Sequence, residues 1–207
     1  FPDIWHNLTY LARFIKVLLA VIMVTIVTNE FTYDTLKQSV INGLTRWEIV
    51  VSKFYVIVML SLFATIIIFL FGLISGTLTT ERISWWKLTS EIEYLLAYFV
   101  MCVSFLSLVS FFSFWIKRPG IVLGLILIYI YPFEPLLSYQ IFSESIGPYM
   151  PMRAMNEMIQ TPPNALSNLF NANKSYDGVP TLNLVVTLVY VAVFNLLSYL
   201  TLRSRDL

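Results

Sequence analysis

Arg13 and Lys16 are two residues of the 207-residue chain that could do chemistry. Three residues apart in an otherwise apolar stretch, they share one face of a helix. Two readings fit them. Their long stems let both charges snorkel to a membrane interface; alternatively, both line an outward vestibule and attract an anionic group of a substrate. His6, beside Trp5, reads as a solvated interface residue ahead of a metal ligand or proton relay. Cys102 is the one cysteine and lies inside an apolar run, which leaves no disulfide and no thiolate metal site. No carboxylate pair falls inside such a run, so a proton-driven carrier has little to work with. No His or acidic cluster suited to an intramembrane protease is visible. No glycine is followed by lysine, so there is no P-loop and no ATP hydrolysis of that type. By itself the chain does not read as an enzyme. Ser104, Ser107 and Ser110 recur at helical spacing and read as helix–helix hydrogen bonds, not a substrate path. Asn7-Leu8-Thr9 and Asn173-Lys174-Ser175 fit the glycosylation acceptor pattern, which is short enough to arise by chance.

The elements that must position these residues are membrane helices. The chain is 58% hydrophobic and only 12% charged, about half the roughly 25% charge of a soluble domain. Charge-free runs cover 54–80, 94–116, 119–133 and 178–202. About 20 apolar residues cross a hydrocarbon core of roughly 30 Å, so three of these runs span unaided. A chain of this size cannot bury several helices that are apolar all round inside a soluble core. The predicted fold is all-α, a polytopic membrane protein with helices at 10–28, 47–75, 93–115, 119–133 and 181–202. The fourth is short, about 22 Å of helix, and ends among Pro132 and Pro135. It crosses with help from its flanks or continues as a broken helix. Residues 134–180 then read as an outer-face loop. It contains a short amphipathic helix over 152–160, with Pro151 at its first position and Met152, Met155 and Ile159 on one side. Residues 161–177 are plain loop. Thr45 with Glu48, and Ser90 with Glu93, form capping boxes; Trp85-Trp86-Lys87 reads as an aromatic interface anchor.

The net charge of +1 points to no nucleic-acid partner. Orientation follows from basic residues near helix ends. Lys37, Arg46, Lys53, Lys117, Arg118, Arg203 and Arg205 fall on one side. Arg82, Lys87, Arg153 and Lys174 fall on the other, joined by Arg13 and Lys16. Clustering beside membrane ends favours the first side as cytoplasmic. The chain opens on Phe1-Pro2-Asp3 and not Met, and reads as a fragment.

Residues 29–48 carry the functional expectation. Leu36, Val40, Ile41 and Leu44 recur at i, i+4, i+5 and i+8 as one apolar stripe on a short helix between two crossings. Asn42-Gly43 stops that helix, with Gly43 suited to the left-handed C′ position, and the Thr45 capping box restarts the chain. Such a helix is either a lever for a partner or a segment resting on the membrane surface.

Glu30, Thr35-Leu36, Asn42-Gly43, Thr45-Arg46 and Lys53 resemble the cytoplasmic signature of ABC-2 type transporter permeases. Tyr149-Met150-Pro151-Met152-Arg153-Ala154-Met155-Asn156 is similar to that family's outer-face segment before its last helix. Leu202-Arg203-Ser204-Arg205-Asp206-Leu207 is similar to its usual ending. Asp34 departs from the pattern, standing where the family commonly has Gly, although Asp is a competent N-cap. The resemblance implies a single permease domain over 1–207 with six membrane helices in the family. The segment at 10–28 is then the second helix and the first is missing. Residues 1–9 lie outside and 29–48 inside, in a plasma (inner) membrane. The short helix becomes a coupling helix that docks in a cleft of an ABC ATPase subunit. Its docking residues are Glu30, Thr35, Leu36, Lys37, Ser39, Val40, Ile41, Asn42, Gly43 and Arg46. Two such ATPase subunits would carry ATP and Mg, this chain no cofactor, and a second permease subunit would complete a homodimer or heterodimer in the lipid bilayer. The implied activity is export of an unidentified substrate. Two alternatives stay open: an ABC-type complex that passes mechanical work to an extracytoplasmic partner, and a non-ABC channel or scaffold.

Overall fold

A computed structural model describes residues 2–79, 92–142, 146–160 and 178–204. Among them there is no strand. Helix α1 (Pro2–Ala12) and α2 (Ile15–Thr32) are followed by α3 (Thr35–Ile41), α4 (Arg46–Thr79) and α5 (Glu93–Ile116). Helix α6 begins at Pro119–Ile128 and continues through the π-helical turns Tyr129–Phe133 and Leu136–Ile141. A 3₁₀ turn, Gly147–Tyr149, leads into α7 (Pro151–Glu157), and α8 (Thr181–Arg203) ends the described chain. Five of these helices are long and apolar enough to cross a membrane: Ile15–Thr32, Arg46–Leu78, Glu93–Ile116, Pro119–Ile141 and Thr181–Arg203. They match the five expected segments.

Helix α5 is the hub. Of its most apolar stretch 72% is buried within the bundle, against 28% for α4 and 17% for both α6 and α8. Helices α1, α2, α4, α6, α7 and α8 all pack on it. The reason lies in its small polar residues: Ser104, Ser107, Ser110 and Ser113 are buried and let neighbouring backbones approach closely. Two of them bond across to α8. Ser104 Oγ donates to the Thr187 carbonyl at 3.4 Å, and Ser107 Oγ accepts from Asn195 Nδ2 at 3.2 Å.

The structure corrects three expectations. Helix α6 continues past residue 133, as the broken-helix alternative had it, so the loop read as starting at 134 is shorter. The prolines fall where the helix widens to i→i−5 bonding, with Glu134 N–H reaching the Tyr129 carbonyl and Phe142 N–H that of Leu137. A π turn accommodates residues that lack an N–H without breaking the helix. Second, the N-terminal stretch is packed on the bundle and not solvated. Helix α1 folds onto α4 and α5, and Trp5 is fully buried, stacked on Phe69 at 5.5 Å. Gly72 makes that possible, since a Cβ there would collide with the indole. Third, His6 is buried: its Nε2–H donates to the Gln160 carbonyl at 2.8 Å, and its ring stacks on Tyr94 at 4.2 Å. The Ser90 capping box, the Trp85-Trp86-Lys87 anchor, the loop at 161–177 with Asn173, and the ending after Ser204 lie outside the described residues.

Candidate functional site

The connectivity puts the C-terminal ends of α2, α5 and α8 and the starts of α4 and α6 at the end of the bundle that carries α3. There Asp34 adopts φ +53°, the left-handed region, and makes no side-chain cap to α3. The expectation of an Asp N-cap is therefore not met, because a capping residue needs extended backbone. The left-handed geometry accounts for a Gly preference at this place. Asp34→Gly is expected to stabilise by about 0.5–1 kcal/mol, and Asp34→Val to destabilise by at least as much. Thermal unfolding of the detergent-solubilised protein checks both.

The other end of α3 is a Schellman motif. Gly43, at φ +97°, donates its N–H to the Val40 carbonyl at 3.0 Å, and Leu44 N–H reaches the Ser39 carbonyl at 3.1 Å. Two residues later the Thr45 capping box is reciprocal. Thr45 N–H donates to Glu48 Oε2 at 2.7 Å, and Glu48 N–H to Thr45 Oγ1 at 3.3 Å. The turn between α3 and α4 is thus fixed by hydrogen bonds on both sides.

Ion and hydrogen bonds tie this hairpin to the bundle. Glu30 of α2 pairs with Lys53 of α4, and Lys53 is buried. Thr35 Oγ1 bonds the Glu30 carbonyl at 3.4 Å. Arg46, the first residue of α4, donates its guanidinium to the Arg203 carbonyl at the end of α8. A cavity of about 90 Å³ sits under α3, with Glu30 and Lys53 on one wall and Leu36, Ser39, Leu44 and Ile49 among the others.

The apolar stripe divides. Leu36 is only 2% exposed and belongs to the core of its own chain, and Val40 packs against that core. Ile41 is 74% exposed and Leu44 47%. A seven-residue helix over so short a loop must use one side to sit down, which leaves the other for contact. Thr35, Lys37, Gln38, Ile41, Asn42 and Gly43 form the outward surface, while Ser39 is half-buried. Leu36 is therefore removed from the expected docking residues.

At the opposite end, the short helix α7 is locked by buried charge that sequence reading missed. Glu134, at 2% exposure, sits between the π turns of α6 and caps α7 from another helix. Its Oε1 accepts from Met152 N–H at 2.5 Å and Arg153 N–H at 3.0 Å. Pro151 takes the first helical position, where no N–H is needed. Arg153 bonds Glu157 Oε1 at 2.6 Å and the Ser138 carbonyl at 2.7 Å, and stacks over Tyr139 at 4.3 Å. Asn183 of α8 reaches Glu157 at 3.5 Å.

Lys16 joins this cluster, contrary to the snorkelling expectation. It is 4% exposed, donates to Asn156 Oδ1 at 2.8 Å, and lies over the Phe105 ring at 5.3 Å. Arg13 goes elsewhere, over the Tyr10 ring at 4.0 Å with a bond to its hydroxyl at 2.9 Å. The helix break at Arg13-Phe14 falls between the two, so they do not share the face of one continuous helix. The signal for Glu134 was present, a lone acid between two prolines facing a Pro-initiated helix, but π widening of α6 was not foreseen. Among the described residues no cluster of three His, Cys, Asp or Glu side chains is placed to hold a metal ion.

No curated protein matches the chain. A family model described as Protein of unknown function (DUF2705) matches residues 3–207. The match takes in α1, both locked ends and all five candidate membrane spans, and the chain belongs to the DUF2705 family.

Proposed function

We propose that the chain is the membrane-spanning permease subunit of an ABC-2 type exporter, with α3 as the coupling helix on the cytoplasmic side of a plasma (inner) membrane. One observation carries this reading: residues that resemble the permease signature, though dispersed along the sequence, assemble into one mechanical unit. Glu30 pairs with Lys53, Thr35 bonds Glu30, Asn42-Gly43 closes the Schellman turn, Thr45 caps α4, and Arg46 clamps the end of α8. A solvated loop has no need of such bracing. A helix that receives a push does.

The mechanics follow from these ties. Closure of two partner ATPase subunits on ATP and Mg displaces α3. The Glu30–Lys53 pair makes α2 and α4 move together, and Arg46 carries α8 with them. All three pack on α5, so displacement at one end reaches the α7 lock at the other. A paired permease subunit supplies the second half of the pathway. Transport of a substrate and transmission of force to an extracytoplasmic partner share this first step.

Capture of the tagged chain from its native membranes in mild detergent tests the proposal. The expected companion is a P-loop ATPase at one copy per permease, with ATPase activity lost when that partner's P-loop lysine is replaced. Recovery of the chain without a stoichiometric P-loop protein overturns the proposal in favour of a channel or scaffold.

A further inference from the structure

Helices α4 and α8 run side by side at the bundle surface and leave a groove of about 390 Å³ between them. Val50, Val51 and Phe54 of α4 face Leu188, Val191 and Ala192 of α8 across it. Asn195 is a polar residue in the wall, and its amide turns to Ser107 Oγ at 3.2 Å and the Val191 carbonyl at 2.7 Å. The trough itself is therefore apolar. At the α3 end, Trp47 and Tyr199 meet edge to face, with ring centroids 5.6 Å apart. Beyond them are Arg46, next to Trp47, and Arg203, one turn past Tyr199, brought together by the bond from the Arg46 guanidinium to the Arg203 carbonyl. The Arg203 side chain is exposed. That carbonyl takes one of the five N–H donors Arg46 carries.

The order along the groove is apolar trough, aromatic pair, arginine pair. It repeats the order of a phospholipid from acyl chain through interface to phosphate. We infer that this groove is a binding site for an anionic phospholipid of the leaflet at the α3 end. One acyl chain lies in the trough and the phosphate rests against Arg46 and Arg203. Guanidinium matches a phosphate diester in charge and in fork geometry, and basic pockets between membrane helices select anionic head groups. A second copy of the chain is the rival occupant, and charge opposes it. A twofold partner in the same membrane sets its own Arg46 and Arg203 at the same level, so four guanidinium groups would crowd one contact. The site does not depend on the permease reading; it requires only that α4 and α8 cross a membrane.

Native mass spectrometry of the detergent-purified chain tests the site, with phosphatidylglycerol and phosphatidylcholine of identical acyl chains as probes. Phosphatidylglycerol is expected to bind about tenfold tighter or better, from two arginines at the head group. Arg203→Gln leaves the backbone carbonyl in place and should narrow that gap by about fivefold. Ala192→Trp fills the trough and should lower phosphatidylglycerol occupancy about tenfold. Val193→Trp, on the opposite side of α8, should leave it unchanged. Equal binding of the two lipids overturns the site, as does full phosphatidylglycerol binding by Ala192→Trp. A homodimer that Ala192→Trp abolishes gives the groove to a second copy instead.

Discussion

If α3 is the coupling helix proposed above, Ile41→Asp is expected to release a partner ATPase subunit while leaving the chain folded and inserted. Ile41 is 74% exposed on the outward side of α3. Burying such a side chain in a partner's cleft is worth about 1.5–3 kcal/mol. Replacing it with a carboxylate forfeits that and adds a desolvation cost, so docking weakens by well over tenfold. Co-purification of the ATPase with the variant, and ATPase activity in membranes, read the effect directly. Leu36→Asp gives a different result. Leu36 is 2% exposed inside its own chain, so a charge there disrupts the seat of α3 and lowers yield and thermal stability. The two variants separate docking from folding. An Ile41→Asp protein that keeps its ATPase at wild-type stoichiometry and activity removes α3 from the coupling role.

Glu134→Ala is expected to have the larger effect on stability. The carboxylate is buried and accepts two N–H groups at the start of α7. Its loss leaves two orphan donors, and a buried donor without a partner costs about 1–3 kcal/mol. Glu134→Gln keeps an acceptor oxygen for α7 and loses only the charge, so it should cost markedly less. Fluorescence-detected thermal unfolding in detergent measures both. Limited proteolysis over 146–160 reports release of α7. A Glu134→Ala protein that melts with the wild type, with 146–160 still protected, sinks the lock.

The parts of this fold legible in the sequence were those governed by local chemistry. Charge-free runs located four of the five candidate spans because hydrocarbon excludes charge whatever the tertiary arrangement. Gly43 and the Thr45–Glu48 box announced the turn after α3, since both are backbone-capping devices set by nearest neighbours. What failed depended on distant partners. His6 and Lys16 look like interface residues until Gln160 and Asn156 arrive from roughly 150 positions away to satisfy them. Glu134 looks like the start of a loop because prolines signal a helix end, and only the π turns absorb them. The stripe on α3 was right in its periodicity, yet periodicity alone does not say which half of a stripe the chain keeps for itself.

The near-complete enclosure of α5 also bears on how the protein is made. Chains enter a membrane from the N-terminus onward, so α5 arrives before α8, the last helix described and the one that receives its hydroxyls. Until then Ser104 and Ser107 have no Thr187 carbonyl or Asn195 amide to meet across the interface. Helix α7 likewise waits for Asn183. The bundle around α5 thus stays unfinished until α8 arrives, and α8 acts as a keystone. A nascent chain cut short before Thr181 would present membrane quality control with an open, polar-faced hub, and its rapid clearance would be a matter of timing as much as of energy.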